Sequence, residues 1–140
     1  MKDRTATCGC GNVRIEVKGE PEFCWVCHCD YCQKLSGSIG TFAAVFANDQ
    51  IVSSEGETSV FDDLPDWPGF ERYFCPNCGT AVHWINPTAF PDKRLISIGC
   101  FSDKDFPGPA MTLQTQYRHN WVQSFIGAAE FEAFPPEQGT

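Results

Sequence analysis

The chain lacks any apolar run near the ~18–20 residues that a membrane span requires, so no membrane segment is expected. Its opening residues, Met1-Lys2-Asp3-Arg4-Thr5, lack the apolar core of a secretory signal. Secretion is therefore not expected, and a cytoplasmic, reducing compartment is. Basic residues are scarce: 10 Lys and Arg stand against 18 Asp and Glu, a formal charge of −8. Such a surface repels phosphate backbones, which argues against nucleic acid as a partner. No repeat of roughly 20–50 residues, low-complexity block or long linker divides the chain. A length of 140 residues fits one domain, expected over 1–127, with a surface tail over 128–140 that carries Pro135-Pro136.

What the chain has in excess is cysteine: Cys8, Cys10, Cys24, Cys27, Cys29, Cys32, Cys75, Cys78 and Cys100. Nine is odd, so complete disulfide pairing within one chain is impossible. A reducing compartment also makes structural disulfides rare. The thiols are then metal ligands, catalytic groups or small buried apolar residues, and spacing separates these roles.

Periodicity predicts short strands and little helix. Val13, Ile15 and Val17 alternate with Arg14, Glu16 and Lys18, the pattern of a strand with one wet face. Extended pieces are expected at Phe23–Cys27 and Ile39–Ala47, and further strands at Gln50–Ser53, Thr58–Phe61, Glu71–Phe74, Ala81–Ile85, Leu95–Ile98 and Gln116–Trp121. The best short helix runs from Asp30, as its cap, to Leu35, with Ser36-Gly37 ending it. Proline-rich turns at 63–69 and 106–109 interrupt the strands. The fold class is mainly β with one or two short helices.

Cys75-Pro76-Asn77-Cys78-Gly79 has the spacing of a metal knuckle, in which a tight turn aims backbone N–H groups at two thiolates and Gly79 tolerates a positive φ. A redox C-x-x-C is the alternative, but the surroundings read as strands rather than a βαβ unit. Cys8-Gly9-Cys10-Gly11 supplies two more thiols, whose side chains must converge to share one ion. Together the two pairs make a Cys₄ tetrahedron, a structural zinc site joining distant parts of the chain. Cys27-His28-Cys29-Asp30-Tyr31-Cys32 supplies three thiols within six residues. Three ligands and an open fourth position are the pattern of a catalytic or exchangeable zinc, suited to a soft fourth ligand such as a substrate thiol. The competing possibility is closure by Cys24, His28, Cys100 or a second chain. His28 lies between two ligands and is expected to point away, as a supporting or surface group. Cys24 and Cys100 are expected to be small buried hydrophobes. His83, in a strand pattern, and His119, in a polar and aromatic stretch, are more often structural than functional.

The order Cys8-x-Cys10-Gly11, Cys27-His28-Cys29-x-x-Cys32 and Phe74-Cys75-x-x-Cys78-Gly79 resembles the glutathione-dependent formaldehyde-activating enzyme family, which shares its domain with centromere protein V. Phe23, Gln33-Lys34-Leu35-Ser36-Gly37 and Arg72-Tyr73-Phe74 add to the likeness, which covers roughly residues 5–125 in motif order. The resemblance implies an Mss4-like (β-tent) fold with two Zn²⁺ per chain. It maps the structural ion to Cys8, Cys10, Cys75 and Cys78, and the catalytic ion to Cys27, Cys29 and Cys32. It further implies a carbon–sulfur lyase that adds glutathione to formaldehyde, giving S-hydroxymethylglutathione. The Gly pair that often precedes the first cysteine is here Ala6-Thr7, and the C-terminal His and Trp pattern is loosely echoed by His119 and Trp121.

Two functions follow as expectations. In the first, an enzyme joins a thiol to formaldehyde or another small carbonyl, with His28 or Tyr31 giving acid–base help. Carboxylates of a glutathione-like thiol would then need Lys34, Arg72, Arg94 or Arg118. In the second, the chain is a noncatalytic zinc scaffold that binds a protein, since fold does not fix function. Redox sensing by exposed thiols is the weakest reading, because zinc would mask most of them. The expected partners are a small-molecule thiol and an aldehyde, with a homodimer compatible with the sequence.

Overall fold

The computed structural model describes residues 2–136. Met1 and the last part of the expected tail, 137–140, lie outside the described residues. In chain order the strands are β1 (Arg4–Thr7), β2 (Arg14–Val17), β3 (Phe23–Cys27), β4 (Thr41–Ala47), β5 (Ile51–Glu55), β6 (Ser59–Phe61), β7 (Glu71–Phe74), β8 (Ala81–Ile85), β9 (Lys93–Ser97), β10 (Met111–Leu113) and β11 (Ala129–Glu130). One helix, α1 (Asp30–Ser36), lies between β3 and β4. The class is mainly β, and no helix among the described residues is long and apolar enough to cross a membrane. The chain forms two compact units, Met1–Glu22 with Ala44–Phe106, and Phe23–Ala43 with Pro107–Thr140.

In the first unit β1, β2 and β5 form an antiparallel sheet, with Ala6 opposite Ile15 and Ile15 opposite Ser54. The alternation read from the sequence decides which side is dry. Val13, Ile15 and Val17 are buried, while Arg14 and Lys18 are exposed. A second antiparallel run joins β6, β7, β8 and β9, with Val60 opposite Tyr73, Tyr73 opposite His83 and His83 opposite Ile96. Phe46, Val82, Leu95 and Ile96 are fully buried in this unit. β1 carries no apolar alternation of its own and was not expected; it exists because β2 supplies a partner of fixed register.

In the second unit β10 lies between β3 and β11 and pairs parallel to both. Its register sets Thr112 beside Val26 and Glu130, and Leu113 beside Cys27. The strand expected at Gln116–Trp121 does not form. Gln114 adopts φ 56°, which breaks extension, and Thr115–Tyr117 make a 3₁₀ turn. The N–H groups of Gln114, Thr115 and Gln116 instead bond to the carbonyls of Ala133, Phe131 and Glu132. Part of the expected tail is thus hydrogen-bonded structure, including β11.

The helix occurs where expected, but its cap is Cys29 rather than Asp30. The Cys29 Sγ accepts the backbone N–H of Cys32 at 3.3 Å, as a Ser or Asp oxygen would. At the other end the Gly37 N–H donates to the Gln33 carbonyl at 2.8 Å.

Candidate metal centres

The first centre grows from two tight turns in the first unit. At Cys8–Gly11 the Gly11 N–H donates to the Cys8 carbonyl at 3.1 Å, folding the C-x-C back on itself. At Cys75–Gly79 the Gly79 N–H donates to the Cys75 carbonyl at 2.8 Å, with Gly79 at φ +80° as the knuckle requires. The four sulfurs of Cys8, Cys10, Cys75 and Cys78 come within 4.8 Å of one another. Cys8 and Cys10 are 3.6 Å apart, and Cys10 and Cys75 3.7 Å. Thiolates at ~2.3 Å from a zinc ion define a tetrahedral edge of about 3.8 Å, so this donor set fits that ion. Neighbouring groups support the sulfurs. The Val13 N–H donates to Cys8 Sγ at 3.2 Å. Thr80 Oγ1 accepts the Gly9 N–H at 3.0 Å and lies 3.3 Å from Cys78 Sγ, which leaves its hydroxyl proton for the sulfur. That bond comes first among the causes holding the Cys78 thiol down at about 5.

The second centre belongs to the second unit. Cys27 ends β3, Cys29 caps α1 and Cys32 lies in its first turn. Their three sulfurs also lie within 4.8 Å of one another, and among the described residues no fourth Cys, His, Asp or Glu joins them. So close a trio cannot ionise together without a cation. Hydrogen bonds from the Cys27 and Cys32 thiols hold Cys29 down to about 2. In return Cys29 pushes Cys27 up to about 11, and Cys32 is raised by both neighbours. A soft dication would relieve this conflict and admit three thiolates at once.

Two contacts shape the loop that carries the trio. His28 is fully buried, and its Nδ1 lies 2.8 Å from the Ile39 carbonyl. A carbonyl only accepts, so Nδ1 is the donor of this bond, while Nε2 has no hydrogen-bond partner. The expectation of a surface role for His28 is corrected by this burial, and the ring does not join the sulfur cluster. Gly40 packs so close that a Cβ there would sit 2.6 Å from the Cys27 carbonyl oxygen. Gln33, in α1, was not singled out as a site residue, yet its Nε2 donates to the carbonyls of His28 at 2.7 Å and Tyr117 at 2.9 Å. It ties the cysteine loop to the segment that carries His119 and Trp121. Those two rings stack at 5.3 Å, and Trp121 remains 69% exposed. A side-chain amide leaves no pattern in sequence that reveals such a clamp.

Other candidates fall elsewhere. Cys24 is buried, as expected of a small hydrophobe. Cys100 belongs to the first unit and is not among the residues of either cluster; burial pushes its thiol up to about 11. His83 is buried and bonded to Arg94. Of the four candidate cations, Arg118 is engaged with Glu130 at 2.7 Å and Arg72 lies over the Phe61 ring. Lys34 stands in the last turn of α1.

A mainly β chain with two cysteine clusters, one of four and one of three, is a protein whose sites could hold metal ions. Residues 3–123 match the family described as glutathione-dependent formaldehyde-activating enzyme, and the chain belongs to that family. No curated protein matches the chain. The crystal structure of a Rhodobacter sphaeroides protein is similar in fold, with a TM-score of 0.57 at 18% identity over 74% of this chain and 90% of that one.

Proposed function

We propose that the chain is a zinc-dependent enzyme of the carbon–sulfur lyase type, joining a thiol such as glutathione to formaldehyde or another small aldehyde. The observation that carries this is the unequal donor count. Four cysteines form one cluster, and only three form the other. Cys8, Cys10, Cys75 and Cys78 would hold a structural ion, and Cys27, Cys29 and Cys32 the ion of the reaction. Zinc held by the trio supplies a soft Lewis acid that favours the ionised form of a thiol. In the reaction a C–S bond forms, the carbonyl π pair moves to oxygen, and the thiol's proton ends on that oxygen.

The chain's own groups support this chemistry by position. Cys27 is anchored by the β3–β10 register and Cys29 by the Cys32 N–H, so the trio is built on regular elements rather than loose chain. Gln33 fixes the neighbouring segment against the loop. Of the two acid–base candidates, His28 is sealed from solvent, which removes it from direct proton transfer. Tyr31, 37% exposed and next to Cys32 in sequence, is the acid–base candidate open to solvent. Lys34, in the same unit as the trio, is the candidate cation for a carboxylate of the thiol, since Arg118 is already engaged by Glu130.

The test is a metal count followed by a thiol titration of the cobalt(II)-loaded protein. Two ions per chain, with the absorption of one altered by added glutathione, is the expected result. Two ions both indifferent to thiol would instead support a noncatalytic scaffold.

A further inference from the structure

Two sides of the three-cysteine loop are closed by packing. A Cβ at Gly40 would meet the Cys27 carbonyl oxygen at 2.6 Å, and the Thr41 hydroxyl donates to the Cys32 carbonyl at 3.1 Å. Cys29 and Cys32 are nevertheless half-buried rather than sealed. Another stretch of the second unit runs beside this loop. Leu113 pairs with Cys27, and its carbonyl accepts the His28 N–H at 3.0 Å. The chain then passes through the 3₁₀ turn Thr115–Tyr117 into residues 117–121, where Tyr117, His119 and Trp121 are all exposed.

Gln33 spans the two. Its backbone N–H donates to the Cys29 carbonyl at 3.0 Å, so α1 sets its side chain one turn past the cap, on the face of Cys29. The side-chain nitrogen carries two hydrogens. One goes to the carbonyl of His28, between two candidate ligands, and the other to the carbonyl of Tyr117. Both oxygens therefore lie within 2.9 Å of a single atom. The stretch beyond is itself preset. The Val122 N–H closes a turn on the His119 carbonyl at 3.0 Å, Arg118 is held by Glu130 at 2.7 Å, and the rings of His119 and Trp121 stack. Rings already ordered and still open to solvent offer contact area at little cost in entropy.

We propose that Gln33 is a positioning residue for the thiol–aldehyde reaction, holding residues 117–121 beside the three-cysteine centre as the wall against which the body of the thiol rests. This rests on the function proposed above and adds that the body of the thiol is felt at the wall, whereas its sulfur is felt at the metal. The test titrates the cobalt(II)-loaded full chain with glutathione and with 2-mercaptoethanol, a thiol too small to span from metal to wall. Two variants separate hydrogen bonding from shape and charge. Gln33→Leu fills the space without donors or charge, and Gln33→Glu keeps the shape but offers acceptors where two carbonyls need donors. Both should retain two metal ions per chain and the circular dichroism of the unaltered protein. Loss of two hydrogen bonds should weaken glutathione about tenfold in each, and 2-mercaptoethanol by less than about twofold. Undiminished glutathione binding in either variant overturns the proposal. So does an equal loss for both thiols, or loss of a metal ion, since either makes the role structural. A cobalt spectrum indifferent to both thiols in the unaltered chain removes the thiol–aldehyde reading and this proposal with it. Thiol binding that the variants leave intact removes only the role of Gln33.

Discussion

At the scale of single residues, two positions control more than their size suggests. Gly40 admits the Cys27 carbonyl to within 2.6 Å of where a Cβ would stand, and the neighbour is backbone, which cannot swing aside. Gly40→Ala is expected to cost about 1–3 kcal/mol through overpacking. It should also weaken metal retention by the trio while sparing the four-cysteine centre, as read by metal content and thermal denaturation. His83 supplies a pH effect. Burial first, and the charge of Arg94 second, lower it from an ordinary 6.5 to about 4. The unfolded chain therefore binds the extra proton at higher pH than the folded one, so stability is full above about 6.5 and declines as pH falls to about 4. The loss is on the order of 3 kcal/mol. His83→Gln keeps an acceptor for Arg94 but cannot titrate, and urea melts across that range should show a flatter decline for the variant.

Among the elements, α1 and the Cys75–Gly79 knuckle differ in what a cysteine does for them. Cys29 is at once a ligand candidate and the cap of α1. Serine preserves the cap but not the thiolate. Cys29→Ser should therefore remain folded, with one metal ion per chain rather than two. Cys78→Ser removes a candidate ligand from the four-cysteine cluster that brings the first turn of the chain to the knuckle. Structural zinc contributes ~10–16 kcal/mol in small domains, comparable with the ~5–15 kcal/mol that holds a whole domain together. This variant should lose cooperative folding in circular dichroism, and equal behaviour of the two would erase the proposed division of labour. The helix could be read from Asp30 to Leu35 because its stop signals are local, but its cap could not, since sulfur is not among the usual capping groups. β10 was missed for a related reason. Three residues after a proline-rich turn carry no periodicity, and only parallel neighbours on both sides make them a strand.

For the whole molecule, charge and metal act together. Seven thiolates and two dications would add a net charge of about −3 to the formal −8, and the metal-loaded protein would then be more acidic than its side-chain count suggests. Each cysteine cluster belongs to a different compact unit. Titration with a strong chelator should therefore proceed in two steps, the three-cysteine ion leaving first with its fold retained. The second step should coincide with loss of tertiary structure in near-UV circular dichroism. Simultaneous loss of both ions and of the fold would contradict a separable pair of sites.

The sequence alone determined the chemistry of the candidate ligands, because cysteines two and three positions apart can meet through local turns whatever the rest of the chain does. It likewise determined the mainly β class, since alternation at Val13, Ile15 and Val17 is a property of neighbouring residues. The tertiary structure brings the expected pairs together, and only it decided that, among the described residues, no fourth Cys, His, Asp or Glu joins Cys27, Cys29 and Cys32. It also buried His28 against the Ile39 carbonyl and made Gln33 a clamp. These contacts are set by strand register and loop closure, and the one from Gln33 to Tyr117 spans 84 positions, so no local pattern encodes them.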